Sequence, residues 1–111
     1  MYYVGVDLGG TNIAAGLVDE GYRLLAKAST PTGLPKAPEE IADTIYQLAA
    51  RLLQANGVGF PQVESVGVGI PGTVNRAEGV VEYANNFGFR NVPLVRMLKG
   101  RFPCPVWAEN D

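Results

Sequence analysis

Clustered glycines constrain the fold of this chain more than any other feature of its sequence. Of its 111 residues, 14 are glycine, and most of them fall in groups around positions 5–16, 57–59 and 67–72. A glycine allows turns and close approaches that a Cβ atom would block. We therefore expect the backbone to turn sharply, or to run close to another group, at each of these places.

The segments between the glycine clusters predict mostly short strands. Apolar and β-branched residues at positions 2–7 and 12–18 flank Gly9-Gly10 and predict a β-hairpin, and residues 22–29 predict a third antiparallel strand. Residues 65–70 alternate Val or Ile with Gly, which predicts a buried strand with one face that a helix or a ligand can approach. Residues 105–108 predict a last strand. Residues 73–91 look irregular, apart from a short excursion near 80–83.

Two helices are predicted between the strands. Pro38 begins the first, and Asn56-Gly57 ends it. Its apolar residues recur on one helical stripe: Ile41, Ile45, Leu48, Ala49, Leu52 and Leu53. Pro93 opens a shorter helix that stops at Gly100. A long helix between two strands implies a right-handed crossover and parallel pairing, so we expect an α/β domain whose mixed sheet has three antiparallel strands continued by parallel strands.

Composition excludes several functional classes. Lys+Arg 9 against Asp+Glu 11 leaves a net charge of −2, which disfavours a broad grip on nucleic acid or on an anionic membrane. The absence of His removes imidazole bases and His-containing zinc sites from this chain. Cys104 alone can form no internal disulfide, and the amino end resembles no signal peptide, so we expect a cytoplasmic protein. The length fits one domain, residues 1–111.

The turn after the first strand carries residue types that suit a phosphate chain. The backbone N–H groups of Gly9 and Gly10 can converge on one side of the turn, and Thr11 and Asn12 add side-chain donors. Asp7 would repel phosphate unless a cation intervened, so its position suggests Mg²⁺, bound directly or through water. An ordinary hairpin turn would explain the same residues equally well.

The last residues carry a second chemical signal. A carboxylate just past the carboxyl end of a strand lies where α/β sheets bind ligands, and it can accept the proton of an attacking hydroxyl during phosphoryl transfer. The amide of Asn110 can donate to and accept from sugar hydroxyls. Taken alone, Asn110 and Asp111 are better explained as a solvated helix cap, where Asn and Asp are favoured. Glu109 is assigned no role.

Four collinear segments resemble a known family. They are residues 5–12 (GVDLGGTN), 67–72 (GVGIPG), 85–89 (NNFGF) and 106–111 (VWAEND). Together they are similar to the bacterial glucokinase-like family known as ROK (repressors, open reading frames, kinases), within the sugar-kinase, heat-shock-protein and actin superfamily. The resemblance implies a ribonuclease H-like (actin-like ATPase) fold, with residues 1–111 forming the N-terminal domain of an ATP-dependent hexose kinase.

The resemblance also implies roles for individual residues on the sugar side. Asp111 would be the catalytic base that takes the proton from the sugar hydroxyl, expected to be the 6-hydroxyl. Gly72, Asn85 and Asn110 would contact the sugar together with Asp111, although Asn86 competes with Asn85 for the same place in the motif.

On the nucleotide side, the resemblance implies binding of ATP and Mg²⁺. ATP would be held by Asp7, Gly9, Gly10, Thr11 and Asn12, with Mg²⁺ near Asp7. The family also implies a structural zinc, whose ligands this chain lacks, and a homodimer of the full-length protein. The expected partners are a hexose and ATP, with neither nucleic acid nor membrane. The chain alone should be nearly inactive. Two alternatives are a sugar-sensing transcriptional repressor of the same family and a non-sugar ATPase of the actin or chaperone type.

Overall fold

The computed structural model describes residues 1–110, which form two sheets, two α-helices and two short 3-10 turns. The strands are β1 (Tyr2–Leu8), β2 (Asn12–Val18), β3 (Leu24–Pro31), β4 (Val63–Ile70), β5 (Thr73–Asn75), β6 (Val80–Ala84), β7 (Phe89–Val92) and β8 (Val106–Asn110). The helices are α1 (Pro38–Ala55) and α2 (Leu94–Lys99), and the 3-10 turns are Phe60–Gln62 and Asn85–Phe87. None of these helices is long and apolar enough to cross a membrane within the described part of the chain.

The main sheet has five strands in the order β3-β2-β1-β4-β8. The first three strands pair antiparallel, whereas β4 runs parallel to β1 and β8 runs parallel to β4. This is the predicted mixed α/β sheet, so the predicted fold class is confirmed. The parallel pairing matters for function because it brings the carboxyl ends of β1, β4 and β8 to one edge of the sheet.

One face of the main sheet forms the core with the helices. Alternate residues of β1, such as Val4 and Val6, point into this core, as do Val66 and Val68 of β4. The apolar stripe of α1 is buried along its whole predicted length: Ile41, Ile45, Leu48, Ala49, Leu52 and Leu53. Helix α1 ends where the sequence indicated, because Gly57 takes the left-handed backbone conformation, with φ of 68°.

The opposite face of the main sheet is lined by small residues. Gly5, Gly67 and Gly69 lie on this face of β1 and β4. A Cβ atom at Gly67 would overlap the indole ring of Trp107 on the neighbouring strand β8. The expected close approach at the glycines of β4 therefore occurs, but at Gly67 it comes from Trp107 rather than from a helix or a ligand.

A second, three-stranded antiparallel sheet in the order β5-β6-β7 occupies the segment that looked irregular. The expectation for residues 73–91 was therefore wrong beyond the short excursion near β6. The three strands are 3, 5 and 4 residues long, too short to show a clear period of two in the sequence. The small sheet packs beside the end of the main sheet, with Val81, Phe89 and Val92 joining the common core.

Several strand boundaries also differ from expectation by one or two residues, and two of the differences have a clear cause or consequence. The third strand begins at Leu24 rather than Tyr22, because Tyr22 lies in the turn with a positive φ of 63°. The last strand continues to Asn110 rather than ending at Ala108. Glu109 and Asn110 therefore lie within β8 and not beyond its end.

Candidate functional site

The carboxyl ends of the parallel strands bring predicted site residues to one edge of the main sheet. Asp7 of β1 lies opposite Gly69 of β4, and Gly69 lies opposite Glu109 of β8. Asn110 follows, opposite Ile70. Since neighbouring strands are separated by about 4.8 Å, Asp7 and Glu109 lie about 10 Å apart across the sheet. The distance between these two carboxylate residues, across the end of β4, is wide enough for a small ligand.

The turn between β1 and β2, residues 9–12, is fixed by backbone hydrogen bonds. The Gly9 N–H donates to the Asn12 carbonyl at 3.0 Å, and the Thr32 N–H donates to the Thr11 carbonyl at 2.8 Å. The Gly9 N–H therefore serves the hairpin rather than a ligand. Gly10 is partly exposed and Thr11 and Asn12 are exposed, so these three positions of the turn are available to phosphate oxygens.

Thr32 supports this turn in a way that the sequence did not indicate. Its side chain is completely buried, and its hydroxyl donates to the Gly9 carbonyl at 2.7 Å. Within residues 1–110, Thr32 is the one polar residue of the core. The turn at residues 9–12, called the phosphate turn from here on for its proposed ligand, is thus held by a residue directly after β3. This residue is 23 positions from Gly9 along the chain.

Gly72 lies in the turn after β4, where its N–H donates to the Ile70 carbonyl at 3.0 Å. A Cβ atom at this position would overlap the backbone carbonyl oxygen of Tyr83 in β6. Glycine at this position is therefore required for packing against the small sheet. Its predicted contact with a sugar stays a prediction.

Asn85 and Asn86 occupy the 3-10 turn that follows β6, but their side chains have different surroundings. The Tyr83 hydroxyl donates to Asn85 Oδ1 at 3.0 Å. Asn86 Nδ2 lies 3.1 Å from the place where a Cβ on Gly10 would be, so the Asn86 side chain packs directly on the phosphate turn. The structure thus brings the Asn-rich loop against the turn between β1 and β2.

Asn110 is exposed at the end of β8, and Glu109 beside it is partly exposed. The Glu109 carboxylate forms an ion pair with Arg76, at 3.7 Å between Oε1 and Nη1. Arg76 belongs to the turn between β5 and β6, so this pair links the two sheets at the site. Asp111, the predicted catalytic base, lies outside the described residues and follows Asn110 directly in the sequence.

A groove of about 670 Å³ runs along the small-residue face of the main sheet. Asp7, Glu109 and Asn110 line its end at the site, while Gly5 and Trp107 line its floor further along the sheet. The groove is mostly apolar, with Asp7, Glu109 and Asn110 where the parallel strands end and Lys27 and Ser65 further along it. Such a combination is typical of sites that orient a ligand through a few polar groups.

The residues of the edge fit a magnesium ion better than a zinc ion. Mg²⁺ usually takes one or two carboxylates together with water and substrate phosphates, and Asp7 is exposed beside the phosphate turn. Residues 1–110 contain no group of three metal-ligating side chains that could form a structural zinc site.

Cys104 is unsuited to nucleophilic chemistry, because burial raises the pKa of its thiol and keeps it protonated at neutral pH.

Comparisons with known proteins identify the family of this chain. The family model described as "ROK family" matches residues 3–111. The chain is 41% identical over 108 residues to a glucokinase of Streptomyces coelicolor, covering 97% of this chain and 32% of that protein. It is 38% identical over 112 residues to an N-acetyl-D-glucosamine kinase of Haemophilus influenzae, covering 100% of this chain and 34% of that protein.

Solved structures show the same fold. The crystal structure of a ROK family glucokinase from Streptomyces griseus, in complex with glucose and AMPPNP, superimposes with a TM-score of 0.86 at 38% identity. The alignment covers 99% of this chain and 33% of that protein. The chain thus spans about a third of the length of the proteins it matches.

Proposed function

This chain belongs to the ROK family, and on that premise we propose that it is the N-terminal part of an ATP-dependent hexose kinase. The complete protein would transfer the γ-phosphate of ATP to a sugar hydroxyl, the 6-hydroxyl in our proposal. Similarity to a glucokinase and to an N-acetyl-D-glucosamine kinase supports a hexose or an aminosugar as the acceptor.

The observation that carries this proposal is the contact between Asn86 and Gly10. A kinase must hold its phosphoryl donor and its acceptor next to each other, because positioning supplies much of the rate of phosphoryl transfer. The Asn86 side chain packs on the phosphate turn at Gly10, and Asn85 is its neighbour in the same 3-10 turn. The residues proposed for the sugar and those proposed for the phosphates therefore adjoin.

The proposed reaction uses the groups at the edge of the main sheet. The turn residues Gly10, Thr11 and Asn12 would contact the phosphates of ATP, with Gly9 shaping the turn. Asn110, Gly72 and Asn85 would hold the sugar hydroxyls. The Asp111 carboxylate would accept the proton of the sugar hydroxyl as its oxygen bonds to the γ-phosphorus and the bond to the ADP oxygen breaks.

We propose that Asp7 holds Mg²⁺, directly or through water. When bound, the ion neutralises charge on the phosphates of the nucleotide. Support for this role comes from the chemistry of the site, since a carboxylate beside a phosphate turn needs a cation between them. A homodimer and a structural zinc in the complete protein, and a cytoplasmic location, are further proposals that rest on the family and on the single cysteine of this chain.

The decisive test replaces Asp111 with Asn in the complete protein. Without a base, kcat should fall about 100-fold to 10,000-fold, the range that general base catalysis supplies, while calorimetric titration with glucose should still detect sugar binding. Asp43→Asn is the matched control, because Asp43 lies on α1 with its side chain 60% exposed. Turnover of Asp111→Asn close to that of the control would contradict the assignment.

A coupled assay of the complete protein with glucose, mannose, N-acetylglucosamine and N-acetylmannosamine should identify the acceptor. Sugar binding without phosphotransfer would favour the repressor alternative. ATP hydrolysis that does not depend on sugar would favour an ATPase of the actin or chaperone type. The 111-residue chain alone should turn over slowly or not at all, and brisk sugar-dependent turnover by it would contradict that expectation.

A further inference from the structure

Tyr83 has no role in the proposed reaction, yet it contacts the sugar side of the site through its hydroxyl and its backbone carbonyl. It lies in β6, opposite Arg90 of β7, and its side chain is 43% exposed. The Arg90 guanidinium lies over its ring, 5.2 Å from the ring centroid. A cation over an aromatic ring is attracted to the ring face and restrains it, so Tyr83 is held in one orientation.

The two polar groups of Tyr83 reach the two loop residues proposed to contact the sugar. Its hydroxyl donates to Asn85 Oδ1 at 3.0 Å. Its backbone carbonyl oxygen lies against Gly72 so closely that a Cβ on Gly72 would overlap it. Gly72 and Asn85 belong to different loops, and Tyr83 contacts both.

We propose that Tyr83 is a positioning residue for the sugar, acting through Asn85. A side-chain amide has one acceptor end and one donor end, and rotation by a half turn exchanges them. Because the Asn85 oxygen accepts from the Tyr83 hydroxyl, the Asn85 NH₂ group is the end that keeps its donors for a ligand. The site therefore offers a hydrogen-bond donor at this position, which recognises a hydroxyl or carbonyl oxygen of the acceptor sugar.

This inference rests on the proposed function and specifies one determinant of acceptor binding. Its test is Tyr83→Phe in the complete protein. Phenylalanine keeps the ring beneath Arg90 and the backbone beside Gly72, so the hydroxyl is the single group removed. Loss of one neutral hydrogen bond should raise the KM for the sugar about threefold to tenfold. The KM for ATP should not change, and kcat should stay within about twofold of its original value.

Tyr46→Phe is the matched control. Tyr46 lies on α1, where its ring packs against Phe60 and Phe102 on the helix side of the sheet. Removing its hydroxyl should leave both KM values unchanged. An equal rise in the sugar KM for both variants would show a general loss of order and would overturn the proposal.

A double-mutant cycle with Asn85→Ala separates positioning from a structural effect. If Tyr83 acts through the Asn85 amide, Tyr83→Phe should raise the sugar KM in the original protein but not in the Asn85→Ala background. A rise of the same size in both backgrounds overturns the proposal, as does an unchanged sugar KM in Tyr83→Phe or in Asn85→Ala.

Failure of the proposed function has a different signature. If the complete protein phosphorylates none of the sugars, the kinase assignment fails. The four proteins of the cycle, namely the original protein, the two single variants and the double variant, are then compared by calorimetric titration with glucose and with N-acetylglucosamine. Weaker binding by Tyr83→Phe, again only when Asn85 is present, would support the positioning role without phosphotransfer. Identical dissociation constants for all four proteins, or no detectable binding of either sugar, would overturn it.

Discussion

The phosphate turn and the sugar side are two regions of one site that are built in different ways. The turn at residues 9–12 is a continuous stretch between two strands. It is held by the backbone bond from the Gly9 N–H to the Asn12 carbonyl and by two bonds that Thr32 donates from just after β3. On the sugar side, Gly72 and Asn85 come from separate loops, and Tyr83 in a third element contacts both. The residues of the first region are contiguous in the sequence, whereas those of the second come together only through tertiary packing.

The comparison predicts that a small change in packing at Gly72 disturbs the sugar side but not the turn at residues 9–12. Gly72→Ala should have the largest effect, because the new methyl group would meet the Tyr83 backbone rather than a movable side chain. Such overpacking typically costs about 1–3 kcal/mol. In the complete protein we expect a lower melting temperature together with a higher KM for the sugar, and little change in the KM for ATP.

Gly59→Ala is the control for this substitution. Gly59 precedes the 3-10 turn before β4, where a Cβ would make ordinary contacts, 3.5 Å from Pro61 at the nearest. Its φ of −93° suits alanine as well as glycine. Thermal unfolding and steady-state kinetics of both variants make the comparison. If Gly72→Ala matched Gly59→Ala in melting temperature and sugar KM, close packing on β6 would not be what requires glycine at residue 72.

The same contrast explains which parts of the fold could be predicted from the sequence. Local patterns predict the hairpin around Gly9-Gly10 and the helix Pro38–Ala55. The pattern is a pair of turn residues in the hairpin and an apolar stripe in the helix. The strands β5, β6 and β7 do not, because none is longer than 5 residues. Gly79 and Gly88, both with positive φ, were the available signals that this segment turns twice.

For the site, residue types could be predicted but not the contacts that hold them. Thr32, Arg76 and Tyr83 stand outside the four recognised segments, and each contacts a site residue that is distant in the sequence. No spacing in the sequence links Thr32 to Gly9 or Tyr83 to Gly72. The residues that support a site depend on long-range packing, which periodicity and turn chemistry do not report.

Thr32→Val tests the support of the phosphate turn and should have a smaller effect than Gly72→Ala. Valine fills nearly the same volume but cannot donate to the Gly9 carbonyl, so one hydrogen bond of 2.7 Å is lost. The expected cost is about 0.5–1.5 kcal/mol. Because the backbone bonds of the hairpin are kept, the KM for ATP should rise less than about threefold and the sugar KM should not change.

Thr44→Val provides the matching control. The Thr44 hydroxyl donates to the Glu40 carbonyl within α1, remote from the turn. Both variants lose a hydroxyl that donates to a backbone carbonyl, but only Thr32 is completely buried. Nucleotide titration and thermal unfolding distinguish them. A larger change in sugar affinity than in ATP affinity for Thr32→Val would show that the two regions are not supported separately.

Arg76→Ala should have the smallest effect, although Arg76 joins the two sheets by charge. The pair with Glu109 is long, 3.7 Å, and the two side chains are 69% and 45% exposed. Exposed pairs of this kind contribute about 0–1 kcal/mol and are weakened by salt. The melting temperature of Arg76→Ala should therefore equal that of Arg51→Ala, an exposed arginine on α1, once salt is added. If Arg76→Ala still showed a loss of sugar affinity at 0.5 M salt, Arg76 would act on the site by more than this ion pair. Packing of the small sheet alone would then not explain how the sugar side is arranged.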